Sequence, residues 1–212
     1  MSSLISLASR SARLGVVMRQ APGWDLEGLN GRISELSSLQ SSVAVTVAMG
    51  IVLNAQIAGE TSAWITTTQS SFFPPDAAAL GVSLQALVVI RAEHTKSLGR
   101  AADHLARSGG FGLLVLDLSS ERPSNLQPSI LAMPLQSRLL GLAQKHRMAL
   151  VVLSKKSSEQ PSLSSLVSLR GQVVRRALSQ GRFVYETLAI KDKQRAPGWS
   201  HAQEVQGPPG LR

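Results

Sequence analysis

The chain has 212 residues and is 43% hydrophobic, which suits one α/β domain with a substantial core and leaves little room for a second full domain. It contains no cysteine, so a disulfide framework, Cys-ligated zinc and thiol catalysis are excluded. The net charge of +9 is uneven: residues 1–144 hold 10 Lys/Arg and 9 Asp/Glu (+1), residues 145–212 hold 12 and 4 (+8), and the basic end favours nucleic acid or an acidic protein surface as its partner.

Taken in chain order, residues 1–20 are Ser- and Arg-rich with no acid before Asp25. That composition is shared with transit peptides. Leu4, Leu7, Ala8, Leu14, Val17 and Met18 recur at helical spacing, however, and predict an amphipathic helix within an arm over 1–24. Its apolar face could pack on the core or bind a partner. Residues 21–30 form a turn-rich lead-in to a first strand, Gly31–Leu36. Ser37–Ser42 is a polar loop whose serines can cap a buried helix over Val43–Ala58, which Gly59 stops. No run reaches 18 apolar residues, so no membrane span is expected and the protein is read as cytoplasmic.

Ser62–Thr67 is β-branched and aromatic, hence a second strand. A loop over 70–75 and a short helix over 76–80 precede Gln85–Arg91, whose Leu-Val-Val-Ile reads as a fully buried strand. Leu98, Ala101, Ala102 and Leu105 give the inner face of a helix over 93–108, ended by Gly109-Gly110. Leu113–Asp117 is an apolar strand closed by an acid. A polar loop over 119–128, a helix over 130–146 and a strand over 149–153 follow. After a polar stretch, 154–165, two further strands at 167–174 and 182–190 are predicted to pair antiparallel across 179–181. Residues 196–212 are rich in proline and polar residues and are expected to be a flexible tail. Strands alternating with helices predict a mostly parallel sheet flanked by helices, with a C-terminal antiparallel hairpin, in one core domain over 25–195.

Several segments in this order resemble the core of the RecA recombinase superfamily. The string Gly31-Arg-Ile-Ser-Glu-Leu36 stands where that family enters its phosphate loop. Ala58–Ile65 is similar to the helix end and strand that bring in the catalytic acid, and Leu80-Gly-Val82 to the turn before the third strand. Ala102–Asp117, with its Leu-Ala-Arg-Ser-Gly string, resembles the helix and strand that deliver the magnesium-associated Asp. Residues 167–176 and 181–193 resemble the late hairpin with its Lys-x-Lys ending. The ordered set points within that superfamily to the ImuA family, the recombinase-like member of a bacterial damage-inducible mutagenesis cassette. The resemblance implies RecA and an ImuB-like relative of Y-family polymerases as partners, together with an error-prone replicative-type polymerase, and association with the nucleoid on DNA damage.

The departures from the pattern bear on function. A phosphate loop, G-x-x-x-x-G-K-[ST], cradles phosphates with backbone N–H groups, reaches them with Lys and holds Mg²⁺ with the hydroxyl. In the register set by Gly31, Ser38 and Val43 replace the two glycines, Ala44 the Lys and Val45 the Ser/Thr. Val43 is β-branched and cannot readily adopt positive φ. Thr68 stands where the family has its water-activating Glu, and a threonine is no general base near neutral pH. The adenine-contacting Asp and Tyr of the family fall in 71–79 and are not reproduced. Asp117 keeps the position of the magnesium-associated acid but faces no Lys or hydroxyl. It is expected to be a structural acid held by the following loop.

No catalytic residue, metal site or cofactor is therefore expected. His94, His104, His146 and His201 lack any ligand spacing, no G-x-S-x-G elbow exists, and Gly109-Gly110-Phe-Gly112 precedes a strand instead of opening a helix. The candidate DNA- or partner-binding residues fall in three groups: Lys155 and Lys156 after a strand; Arg170, Arg175 and Arg176 on the hairpin; Lys191, Lys193 and Arg195 at its end. Few aromatics are interleaved with them, so any DNA binding should be electrostatic and non-specific. The expectation is a non-catalytic adaptor in DNA damage tolerance. A divergent ATPase and an inhibitor of cell division similar to SulA are the alternatives.

Overall fold

The computed structural model describes residues 24–70, 72–120, 131–178 and 182–206. Its element order is α1 (Leu26–Leu29), β1 (Ile33–Ser38), α2 (Ser41–Ile57), β2 (Ser62–Thr67), α3 (Pro74–Ala79), β3 (Leu87–Ala92), α4 (Thr95–Ser108), β4 (Leu113–Asp117), α5 (Met133–His146), β5 (Ala149–Lys155), β6 (Leu169–Ala177), β7 (Arg182–Asp192) and β8 (Ser200–Gln206). The strands form one sheet in the order β3-β2-β4-β5-β1-β6-β7-β8. From β3 to β6 every pairing is parallel, whereas β6–β7 and β7–β8 are antiparallel.

Alternation along the central strands creates two cores, because successive side chains leave opposite faces of a sheet. Leu113 and Val115 of β4, with Ala149, Val151 and Leu153 of β5, join the α2 side. Leu114 and Leu116, with Leu150 and Val152, join the α4–α5 side. Helix α2 carries a nearly unbroken apolar sequence and is buried along most of its length, as a helix apolar all round must be. By contrast α4 is strongly amphipathic: Leu98, Ala102 and Ala106 are buried, while Lys96, Arg100 and His104 are exposed. It ends at Gly109, whose φ of 66° is the left-handed stop that glycine supplies.

Four expectations change. The run at 85–91, expected to be a fully buried strand, forms β3 at the edge of the sheet, where it pairs with β2 alone: Leu87 and Ala92 are buried, but Val88, Val89 and Arg91 are exposed. The polar loop predicted over 37–42 contracts, because β1 continues through Ser38 and α2 begins at Ser41. β5 and β6 likewise run past their predicted ends, to Lys155 and Ala177. The tail expected from 196 instead contributes β8, which pairs with β7 from Arg182↔Gln206 to Leu188↔Ser200. Backbone hydrogen bonds to an existing strand are available to a polar sequence, so composition alone did not reveal this strand. Trp199, just before it, packs with its ring tilted by 50° against the buried Trp24, centroids 5.7 Å apart, and ties the extension to the main body. Trp24 in turn lies over Gly171, where a Cβ would come within 2.5 Å of its ring. The helix predicted over 1–20, most of the loop over 119–128 and the 179–181 turn lie outside the described residues. Among the described residues no helix is long and apolar enough to cross a membrane.

Candidate functional site at the carboxyl edge of the sheet

Parallel α/β sheets place their binding loops at the carboxyl ends of the strands. Here that edge gathers the β1–α2 junction, Asp117 at the end of β4 and the β5–β6 connection, with Ser38 and Lys155 in register as neighbours. At the β1–α2 junction, Leu39 and Gln40 are exposed, while Ser38, Val43 and Ala44 are buried. The Ser38 hydroxyl accepts from the N–H of Gln40 at 3.2 Å, and the Val43 N–H donates to the Gln40 carbonyl at 3.1 Å. None of Val43, Ala44 and Val45 offers a charge or a hydroxyl. Beside them Ser42, Val45, Thr46 and Met49 of α2 face Phe72, Phe73, Asp76, Ala77 and Leu80 across a solvent-open groove of about 370 Å³.

Asp117 is fully buried and its carboxylate is enclosed by donors. Oδ1 accepts from the N–H of Ser119 at 3.0 Å and from its hydroxyl at 2.5 Å. Oδ2 accepts from Ser70 Oγ at 2.6 Å and Thr66 Oγ1 at 3.3 Å. The expected loop N–H is thus present, and three hydroxyls that no sequence motif singles out complete the set. Thr68, just past β2, is exposed. At 43–45 the β1–α2 junction thus presents only aliphatic side chains, and both oxygens of Asp117 accept hydrogen bonds from protein donors.

The densest electrostatic cluster centres on Glu35, a residue that sequence reading treated only as part of a strand. It lies on β1 with no exposed surface. Oε1 accepts from Ser154 Oγ at 2.6 Å and pairs with Lys156 Nζ at 2.6 Å. Oε2 accepts from the N–H of Leu163 at 2.9 Å and lies 3.9 Å from Arg170 Nε. Burying a carboxylate is costly unless it is paired and hydrogen-bonded, and this one is both. A glutamate in the middle of a buried strand was the available signal; its partners, 119 to 135 residues distant, were not legible.

This cluster reassigns two of the predicted binding residues. Arg170, with a side chain 3% exposed, donates to Ser37 Oγ at 3.2 Å, to the Ser157 carbonyl at 2.7 Å and to the Gln160 carbonyl. Lys156, 11% exposed, also donates to the Pro161 carbonyl at 2.9 Å. Both cations neutralise Glu35 and pin the β5–β6 connection, so neither belongs to an open surface. Burial lowers the Arg170 pKa, with Glu35 acting against that shift. Lys191 is half-buried against the Ser164 carbonyl at 3.4 Å. Its ammonium is lowered first by burial and then by Lys193, with Glu35 partly opposing. Lys193 is exposed and donates to the Ser165 carbonyl at 2.7 Å.

The remaining candidates are scattered. Lys155 and Arg195 are exposed at opposite ends of the C-terminal segment that joins them. Arg175 lies over the Phe183 ring at 5.0 Å, and Arg176 pairs with Glu186. Antiparallel register sets Lys191 beside Arg170 and Tyr185 beside Arg175, five residues or about 17 Å along β6. Consequently Arg175 and Arg176 lie apart from Lys156, Arg170 and Lys191, which gather around Glu35. A further buried pair was also missed: Arg32 and Asp192 meet at 2.7 Å with side chains 6% and 1% exposed.

The sequence model of the family described as RecA N-terminal domain matches residues 21–155. The chain belongs to that family. It is 38% identical over 87 residues to Protein RecA of Nocardia farcinica and 36% identical over 87 residues to Protein RecA of Salinispora arenicola. Each alignment takes in 41% of this chain and 25% of the relative, so the chain matches about a quarter of the length of these curated proteins. Among solved structures, the crystal structure of the RadB recombinase is similar with a TM-score of 0.61 at 14% identity, covering 86% of this chain and 94% of that one. The likeness to RadB is one of fold. It includes the parallel core and the antiparallel strands beyond it.

Proposed function

We propose that the protein is a non-catalytic RecA-like adaptor of the ImuA type. In this reading it binds RecA and an ImuB-like relative of Y-family polymerases, and so assists an error-prone polymerase at damaged template. The observation that carries the reading is the carboxyl edge itself: a RecA-family chain with buried Val43 and Ala44 at the phosphate-loop position and an Asp117 whose oxygens are held by protein donors. Phosphoryl transfer relies on positioning and charge stabilisation by a whole constellation, and a fold that keeps the frame without the constellation suits binding better than turnover. Lys155, Arg175 and Lys193 are exposed cations available to DNA or to an acidic partner.

Calorimetric titration tests this reading. Purified protein titrated with ATP and Mg²⁺ should give no binding heat, whereas titration with RecA should give a saturable signal. Micromolar ATP binding, lost in Asp117→Ala, would overturn the non-catalytic reading in favour of a divergent ATPase. Absence of any RecA signal, with binding to a tubulin-like division protein instead, would overturn the adaptor role in favour of a division inhibitor.

A further inference from the structure

On the α4–α5 face of the sheet, the first turns of these two helices enclose a second, solvent-open groove of about 480 Å³. It is lined by Lys96, Gly99, Arg100, Asp103, His104, Ala132, Leu135 and Arg138. Lys96, Arg100 and His104 follow one another at intervals of four residues and therefore line one face of α4. All three are exposed, and among the described residues none makes a hydrogen bond or ion pair. Arg138 reaches in from α5 and lies 2.7 Å from Asp103, the single carboxylate of the groove, which also pairs with Arg107 at 3.0 Å. Asp103 is thus already engaged by two arginines and leaves the stripe uncompensated.

We propose that this groove binds an extended acidic segment of a partner protein, with carboxylates at alternate positions. Three observations select that occupant. The side chains of the stripe, the cations Lys96 and Arg100 and the imidazole of His104, are spaced by about 6 Å along the helix axis, four residues at 1.5 Å each. Side chains on one face of an extended chain recur every two residues, about 6.7 Å, so carboxylates at i, i+2 and i+4 keep step with the stripe. Between the charges, Gly99 is buried and Ala132 and Leu135 are half-buried, which gives the aliphatic stems of an acidic peptide carbon to rest on. Among the described residues no aromatic side chain lines the groove, so none of them offers nucleobases a stacking platform. The inference needs neither the loss of nucleotide binding nor the mutagenesis role, and it stands apart from both.

Fluorescence anisotropy with the full chain tests it, using a labelled seven-residue peptide of alternating Glu and Ala and the same peptide with Gln for Glu. The Glu peptide should bind and the Gln peptide should not. Because two charge reversals replace attraction by repulsion at two pairs, Lys96→Glu with Arg100→Glu should weaken binding by about tenfold or more. Arg182→Gln, on β7 at the other end of the sheet, should leave binding unchanged. Circular dichroism and the thermal midpoint check that the exposed substitutions preserve the fold. Absence of binding by the Glu peptide, or an equal loss with Arg182→Gln, would overturn the proposal. Displacement of the peptide by an oligothymidylate at lower concentration than by unlabelled peptide, abolished by the same two substitutions, would also overturn it and assign the groove to nucleic acid.

Discussion

Two acids near the carboxyl edge, Asp117 and Glu35, are equally buried and are satisfied in opposite ways. Asp117 is held by neutral donors, three hydroxyls and one N–H, all from the ends of β2 and β4 or the residues just beyond them. Glu35 is held by two cations, a hydroxyl and an N–H from the β5–β6 connection and the start of β6. The difference shows why the basic end of the sequence overstated its surface: part of that positive charge compensates a buried carboxylate inside the same fold. It also separates the consequences of removing each acid. Hydroxyls can reorient around a neutral amide, whereas buried cations cannot shed their charge as easily.

Substitution at Glu35 should therefore give the largest effect. Glu35→Gln leaves Arg170 and Lys156 without their counter-charge, and loss of one partner from a buried ion pair costs about 3–5 kcal/mol. Urea denaturation followed by tryptophan fluorescence measures it. A loss under about 1 kcal/mol would mean that water reaches the cluster and screens it as at an exposed pair.

Asp192 offers an intermediate case, with one cation instead of two. Burial alone raises its carboxyl, but the N–H of Gln194, the Arg32 guanidinium and Trp199 Nε1 outweigh burial and hold it below the ordinary carboxylate value. Arg32 retains bonds to Gly28, Ser168 and Gln194 when Asp192 is removed, so Asp192→Asn should cost about 2 kcal/mol at pH 7. Because the folded value is depressed, this contribution is complete above the unfolded value near pH 4. It drains away as pH falls through the folded value. The wild-type and Asp192→Asn stability curves should accordingly converge in acid, and a constant gap down to pH 2 would contradict the pairing.

Asp117→Asn should show the smallest loss, about 1–2 kcal/mol, because the three hydroxyls can turn to serve the amide. A cost as large as that of Glu35→Gln would erase the distinction between the two acids and indicate a bound cation at Asp117.

Much of the fold was legible because it depends on periodicity. The apolar or β-branched runs at 62–67, 87–92, 113–117 and 149–155 alternate with helices, and such alternation leads to a parallel sheet. β8 was not legible, since its polar sequence gains its place from hydrogen bonds to β7, which no local pattern records. At the site, the replacements at Ser38, Val43, Ala44 and Val45 could be read directly once Gly31 set the register. The rest of the Asp117 cage could not, because Thr66 and Ser70 become donors only when β2 and β4 lie side by side, whereas Ser119 is a local partner two residues on.

The amino-acid sequence by itself determined the α/β class, the helix and strand order and the absence of a charged or hydroxyl side chain at 44 and 45, because each follows from residue type and local spacing. Tertiary structure alone decided which cations face inward. Glu35 meets Lys156 and Arg170 only after β1 is inserted between β5 and β6, and the energy of a buried charge depends on what the fold brings within a few ångströms of it.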